Sequence, residues 1–108
     1  MVQIRLKIGE DGTCELIANG HANYAERGKD IVCASVSILI YTLIKSIDEE
    51  SLSAPAVIEM REGETLIRVK LESENRGKIC AVFEVIANGF ELLQKNFPEN
   101  VKYRRVGG

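Results

Sequence analysis

Residues 2–8 alternate strictly between apolar and polar side chains, and this alternation constrains the fold more than any other feature of the chain. The apolar members are Val2, Ile4, Leu6 and Ile8. Because successive side chains of a strand point to opposite faces, the pattern predicts a strand with one buried face. Glu10-Asp11-Gly12 is a turn signal, and a second strand is predicted from Thr13 to about Gly20. The chain therefore begins with a β-hairpin.

The rest of the chain is predicted to contain two helices, a second hairpin and a last strand. The predicted elements are a helix from Ile31 to about Asp48, a hairpin of Val57–Arg61 and Leu66–Leu71, an amphipathic helix from Lys78 to about Phe97, and a strand at Val101–Val106. The order ββαββαβ predicts a two-layer α+β fold, with a mostly antiparallel sheet and two helices packed on one face. We expect a single domain over residues 1–108, because this length suits one domain and no internal linker interrupts it.

Composition narrows the function. The chain has 14 basic and 16 acidic side chains and a net charge of −2, which argues against a broad nucleic-acid footprint. We therefore expect no direct contact with nucleic acid. A small basic cluster near the C-terminus, formed by Lys102, Arg104 and Arg105, is interpreted as the solvated face of an edge strand.

The N-terminal pattern, the lengths of the apolar runs and the numbers of cysteine and histidine residues indicate the location of the protein and its need for a cofactor. The N-terminus runs straight into a strand pattern instead of a signal peptide, and no apolar run reaches the roughly 18 residues of a membrane span. We expect a cytoplasmic protein that does not contact a membrane. Three cysteines without a CxxC pattern and one histidine do not suggest a disulfide framework or a metal site. Neither a metal nor another cofactor is expected.

The first predicted helix is apolar almost all round. Its apolar side chains are Ile31, Val32, Val36, Ile38, Leu39, Ile40, Leu43, Ile44 and Ile47. A helix on the surface of a small protein normally shows one apolar stripe, so the second face needs a cover. We expect that cover to be a second copy of the chain, in a homodimer formed through this helix.

The residue types with chemical potential lie just before and at the start of that helix. Asp30 is a good N-cap residue, which places Cys33 in the first helical turn. Unpaired N–H groups and the helix dipole favour an anion there, and the thiolate is the nucleophilic form of cysteine. His21 ends the second strand, so the loop 22–29 can return the chain beside it. His21 and Cys33 are therefore candidates for a base and a nucleophile.

Two neighbouring polar residues leave alternatives open. Asp30 either caps the helix or orients His21, and as a charge it also opposes thiolate formation. Ser37 follows Cys33 by one helical turn and can bond either the thiolate or a helix carbonyl. An oxyanion hole would use backbone N–H groups near Cys33.

A plainer interpretation also fits these residues. A free cysteine in a helix is usually a small buried hydrophobe, and Cys14 and Cys80 fit that description. Gly20 and Gly28 would then serve only turns. Under this alternative the protein is a non-catalytic module associated with the ribosome or with RNA, and its Cys33 is inert.

The motif as a whole resembles a known family. Gly20-His21-Ala22, a loop with Gly28, then Asp30-Ile31-Val32-Cys33-Ala34 and Ser37 look like the signature of the ribosomal-processing cysteine proteases called Prp. The interval of 12 residues between the histidine and the cysteine (33 − 21) is the same as in that signature.

The resemblance implies a cytoplasmic, homodimeric endopeptidase. Its activity would be to remove the N-terminal extension of ribosomal large-subunit protein twenty-seven, and the precursor would be its peptide substrate. It implies Cys33 as the nucleophile, His21 as the base, and supporting roles for Gly20, Asp30 and Ser37. It also implies an apolar groove beside the cysteine. The substrate-gating loop would contain Asn23, Tyr24, Arg27 and Gly28.

Overall fold

Seven elements follow one another in the predicted order ββαββαβ. The protein was examined as a computed structural model, which describes residues 1–26, 28–50 and 56–106, with only the backbone of residues 48–50. The elements are β1 (Val2–Ile8), β2 (Thr13–Asn19), α1 (Ile31–Glu50), β3 (Ala56–Arg61), β4 (Glu64–Lys70), α2 (Arg76–Asn96) and β5 (Val101–Arg105). Arg27 of the predicted gating loop lies outside the described residues.

The five strands form one sheet in the order β3-β4-β2-β1-β5. Three of the neighbouring pairs are antiparallel, and only β1 and β5 run parallel. The mostly antiparallel α+β architecture is therefore confirmed. The parallel pair arises because α2 crosses from β4 at one side of the sheet to the far edge beside β1. This brings the two ends of the chain side by side.

The core lies between one face of the sheet and the two helices. The strands contribute their alternate apolar residues, which are Val2, Ile4, Leu6, Cys14, Leu16, Ala18, Ile67, Val69, Val101 and Tyr103. From α2, five residues at helical spacing are buried: Ile79, Phe83, Ile86, Ala87 and Phe90. Burial of a large apolar side chain stabilises a fold by about 1.5–3 kcal/mol, so these aliphatic and aromatic contacts are the main stabilising term.

Helix α1 contributes a second stripe to this core. Its buried side chains are Val32, Val36, Ile40, Leu43 and Ile47. Its remaining apolar residues include Ile31, Ile38 and Tyr41, and each of these three exposes more than half of its surface. The part of the predicted apolar surface that faces away from the core is therefore uncovered in the single chain. Neither described helix is long and apolar enough to span a membrane.

Some boundaries differ from the predictions by one or two residues. Strand β4 begins at Glu64 because the turn contains only Glu62 and Gly63, and Glu64 already pairs with Asn19 of β2. Helix α2 begins at Arg76, two residues early. The side chain of Asn75 accepts the N–H of Glu72 at 2.8 Å and closes a turn directly before the helix.

Candidate active site

Asp30 caps helix α1. Its Oδ1 accepts the backbone N–H of Val32 at 3.0 Å and that of Cys33 at 2.9 Å, the geometry expected of an acidic N-cap. Its backbone carbonyl accepts the N–H of Ala34 at 3.0 Å. Of the two roles that the sequence left open for Asp30, the cap is the one present. The described residues contain no hydrogen bond between Asp30 and His21.

The same carboxylate also holds the loop that precedes the helix. Its Oδ2 accepts the N–H of Tyr24 at 2.9 Å and that of Ala25 at 3.3 Å. Desolvation raises the pKa of the Asp30 carboxyl, but the N–H groups of Cys33, Tyr24, Ala25 and Val32 together lower that pKa below its ordinary value. Asp30 is therefore an anionic link between the loop and the first turn of α1.

Three backbone N–H groups near Cys33, where an oxyanion hole was expected, already have acceptors in this conformation. The N–H groups of Val32, Cys33 and Ala34 all donate to Asp30. An N–H group that already donates a short hydrogen bond is not free to stabilise a developing oxyanion. The Asp30 cap thus occupies the donors that a helix N-terminus would otherwise offer to a substrate.

Cys33 lies between two adjoining cavities. One has a volume of about 510 Å³ and the other about 480 Å³. Four residues line both cavities: His21, Cys33, Ser37 and Glu62. The structure thus brings the histidine, the cysteine and Ser37 together around one open groove. The Cys33 side chain is half-buried, and no hydrogen bond links it to His21 within the described residues.

The imidazole of His21 packs against the turn of the second hairpin. A Cβ atom placed on Gly63 would lie 3.1 Å from Nε2 of His21, so the ring lies directly against the bare α-carbon of this glycine. The N–H of Gly20 donates to the carbonyl of Gly63 at 2.9 Å. Gly63 itself has φ +74°, a conformation that favours glycine. The turn therefore forms the support for the histidine.

Gly20 has its own steric reason to be glycine. Its φ is +96°, and a Cβ at this position would lie within contact distance of the carbonyl oxygen of Met1. Any other residue would force apart the end of β2 and the first residue of the chain. Gly20 thus allows the backbone to turn directly before His21.

The larger cavity has a partly apolar lining. Its apolar lining includes Val36, Ile40 and Tyr41 of α1 and Met60 of β3. The groove beside Cys33 implied by the family resemblance is therefore present. Polar residues, including Glu62, also line this cavity.

Sequence reasoning missed the contribution of the second hairpin. It identified the turn at Glu62-Gly63 but did not place it beside His21. The pairing of β2 with β4 decides this, since Asn19 pairs with Glu64 and residues beyond the two strand ends must meet. The glycine turn was visible in the sequence, but the pairing partner of β2 outside its own hairpin was not.

The loop between β2 and α1 borders the smaller cavity. Asn23 and Gly28 line it, and both have positive φ values, +54° and +87°. The ring of Tyr24 makes an edge contact with Phe97 at a centroid distance of 5.3 Å. The loop is thus attached by Asp30 at its base and by Tyr24 to the end of α2.

The other two cysteines lie elsewhere. Cys14 is buried in the sheet, and its Sγ lies 3.9 Å from Sγ of Cys80 on α2. Burial, with the neighbouring Cys80, raises the pKa of the Cys14 thiol to about 12. The described residues contain no cluster of three or more side chains suited to hold a metal ion.

Comparison with known proteins now identifies the family. The family described as cysteine protease Prp matches residues 1–102 of this chain. The chain belongs to the Prp family of cysteine proteases. It is therefore a hydrolase of the cysteine protease class.

Individual relatives agree with this assignment. The ribosomal processing cysteine protease Prp of Mycoplasma genitalium is 29% identical over 87 residues, which cover 80% of this chain and 82% of that protein. The protein of the same description from Bacillus subtilis is 24% identical over 106 residues, covering 94% of this chain and 95% of that protein.

The fold agrees as well. The crystal structure of an essential ribosomal processing protease Prp from S. aureus, in complex with a covalently linked product peptide, superimposes with a TM-score of 0.79. The match covers 97% of this chain and 99% of that chain at 19% identity. The two proteins therefore share the same α+β fold.

Proposed function

We propose that this Prp-family protein is a single-domain cytoplasmic endopeptidase that removes the N-terminal extension of ribosomal large-subunit protein twenty-seven. Cys33 acts as the nucleophile and His21 as the general base. The observation that carries the proposal is the meeting of both residues in one open groove. Family membership favours this enzyme over the alternative of a non-catalytic module with an inert thiol.

The groove suits a peptide. Its apolar wall of Val36, Ile40 and Met60 can hold apolar side chains in an extended segment, and its two cavities continue past the thiol on either side. Structures of the S. aureus Prp were solved with a substrate peptide and with a covalently linked product peptide. An unfolded N-terminal extension has the shape that such a groove requires.

The chemistry follows from the two side chains. His21 takes the thiol proton as Sγ of Cys33 attacks the scissile carbonyl carbon and forms a tetrahedral intermediate. The C–N bond then breaks, and the imidazolium gives its proton to the leaving amine, which leaves a thioester. Water, deprotonated by His21, attacks this thioester. The C–S bond breaks, the imidazolium returns its proton to the Cys33 thiolate, and the product acid leaves as a carboxylate after losing its remaining proton to solvent.

The supporting residues act through position. Asp30 fixes the first turn of α1 and thereby the direction of the Cys33 side chain. Ser37 lines both cavities one turn further along and can donate to the thiolate. Gly20 lets the chain turn at His21. The loop carrying Asn23, Tyr24, Arg27 and Gly28 gates the groove by closing over bound peptide.

A peptide that spans the extension and the first mature residues of the ribosomal protein from the same genome tests this proposal. Mass spectrometry should show cleavage at one bond. Cys33→Ala and His21→Ala should each lower the rate at least about 10³-fold, as losses of nucleophile and base do in related mechanisms. Cys14→Ala and Cys80→Ala are the matched controls and should keep most of the activity. Cleavage by Cys33→Ala at the wild-type rate would disprove the proposal.

We also propose that the protein is a homodimer formed through α1. Ile38 exposes 62% of its surface, and Leu92 of α2 exposes 60% beside the same apolar surface between the helices. Clustered exposed apolar side chains of this kind are typical of subunit interfaces. Sedimentation at micromolar concentration should give twice the chain mass, and Ile38→Glu should give a monomer. A monomeric wild-type protein would contradict the dimer.

A further inference from the structure

Cations are concentrated on the open face of the sheet, at the edge formed by β1 and β5. Arg5, Lys102 and Arg104 are exposed, whereas their strand neighbours Ile4 and Tyr103 point into the core. The parallel register sets Arg5 directly beside Arg104, and Gln3 beside Lys102. Asn19 of β2 pairs with Gln3 on the other side. We call Gln3, Arg5, Asn19, Lys102 and Arg104 the basic edge patch.

Within residues 1–26, 28–47 and 56–106, no ion pair neutralises the charges of this patch. The cations nearest in sequence to the patch have partners elsewhere: Lys7 pairs with Asp11 and Arg105 with Glu84, and on β4 Arg68 pairs with Glu15. No ion pair in that part of the chain involves Arg5, Lys102 or Arg104. Like charges on directly opposite strand positions are destabilising. The pairing of Arg5 with Arg104 is therefore an arrangement that a bound anion would relieve.

The net charge of the whole chain does not explain this concentration of positive charge. Its net charge is −2, so the three cations of the patch form a local positive region on an overall acidic protein. Arg105 of the C-terminal basic cluster is not part of the patch, because its side chain forms an ion pair with Glu84 on the helix side of the sheet. Arg5, at the other end of the sequence, takes its place. The patch is thus built from both ends of the chain by the parallel pairing.

The surroundings of the patch indicate which anion it fits. Its five residues line a shallow cavity of about 330 Å³ together with Ile4, and no aromatic side chain lines it. Protein partners are normally held by apolar or aromatic residues at the centre of an interface, and single-stranded bases by aromatic stacking. Nucleic-acid interfaces that read shape are instead polar and positive.

Contrary to the expectation from the net charge that the protein does not contact nucleic acid, we propose that the basic edge patch binds the phosphodiester backbone of double-helical RNA. Arg5 and Arg104 offer planar guanidinium forks suited to phosphate oxygens, and Lys102 adds a third cation. The amides of Gln3 and Asn19 lie among these cations and can both donate to and accept from a ribose 2′-hydroxyl. The patch is separate from the groove that contains Cys33, so the inference does not depend on the proposed proteolysis.

Fluorescence anisotropy with a labelled RNA duplex of about 16 base pairs tests this inference on the full chain. Three phosphate contacts give a slope of about −2 to −3 in log K against log of the salt concentration, so affinity should fall about 15- to 60-fold between 50 and 200 mM KCl. Arg5→Gln/Lys102→Gln/Arg104→Gln should weaken binding at 50 mM at least about tenfold and remove most of this slope.

The matched control removes three other cations. Lys45→Gln/Lys78→Gln/Lys95→Gln changes the net charge equally but alters the helices, and it should bind the RNA duplex within about twofold of wild type. Equal loss in both triple variants, or no salt-dependent binding by wild type, would overturn the proposal. Equal affinity for a DNA duplex of the same sequence would overturn its assignment to RNA. Thermal unfolding should show that the patch variant remains folded, because it only removes exposed like charges.

Discussion

The surroundings of Cys33 and of Cys80 can be compared directly, because both cysteines lie near the start of a helix. Cys33 is the third residue of α1, whose cap Asp30 accepts its N–H. Cys80 is the fifth residue of α2, whose N-cap Asn75 makes no side-chain cap hydrogen bond. Cys33 borders the groove that contains His21, whereas Cys80 lies 3.9 Å from the buried Cys14 thiol.

The comparison shows that a helix start alone does not make a nucleophile. Both cysteines follow a helix N-terminus, but only one opens onto a cavity with a base. Cys80 instead faces the sheet and contributes to the packing around Cys14. The two cysteines differ in the surroundings of their thiols rather than in their position in the helix.

The largest expected difference between these regions is in thiol reactivity. At pH 8 the pKa of Cys14, raised by burial to about 12, leaves only about one thiol in 10⁴ ionised. Cys33 borders an open groove, so iodoacetamide should alkylate it at least about 100-fold faster than Cys14. Peptide mapping by mass spectrometry measures both rates in one sample. Equal rates would remove the distinction between the two regions.

A smaller effect, on the rate of peptide cleavage, is expected from disturbing the turn at Gly63 that supports His21. Gly63→Ala places a methyl group against the imidazole, and Gly12→Ala is the matched control. Both glycines lie in hairpin turns with positive φ, +74° and +80°, but nothing lies within 4 Å of a Cβ at Gly12. The backbone strain is therefore similar, and only Gly63→Ala displaces His21.

We expect Gly63→Ala to lower kcat/KM about tenfold relative to Gly12→Ala, since small displacements of a catalytic group are costly. The peptide cleavage assay measures this ratio, and urea unfolding checks that the two variants lose similar stability. Equal activities at equal stability would show that the turn does not position the histidine.

The smallest effect concerns the cap that distinguishes α1 from α2. Asp30→Ala removes the acceptor for two helix N–H groups and should lower the free energy of unfolding by about 1 kcal/mol. Asp30→Asn keeps an acceptor oxygen and should lose less. Urea unfolding at pH 6 measures both. An unchanged stability in Asp30→Ala would mean that the cap does not hold the helix start.

The pH dependence of this cap has a definite sign. The pKa of Asp30 is lowered in the folded protein, so its contribution is complete above the ordinary value of 3.8 and is lost as the pH falls through the lowered value. Wild type should therefore lose more stability than Asp30→Asn when unfolding is compared between pH 6 and pH 3. The same loss in both proteins would contradict this assignment.

Much of the fold was predictable because its signals are local. The alternation of residues 2–8 and the i, i+3, i+4 spacing of the second helix report burial within one element. The position of Asp30 also made it a candidate N-cap, although the sequence left open whether it orients His21 instead. Pairing between distant strands has no such local signal, and this is why the turn at Gly63 was not placed beside His21.

The sequence by itself determined the element order, the α+β class and the motif that joins His21 to Cys33. These features depend on side-chain periodicity, capping and residue spacing, all of which act over a few residues. Only the tertiary structure decided that Asp30 uses both carboxylate oxygens to link the loop and helix. It also decided that Arg5 lies beside Arg104, since the crossover through α2 makes the two ends of the chain neighbours in one sheet.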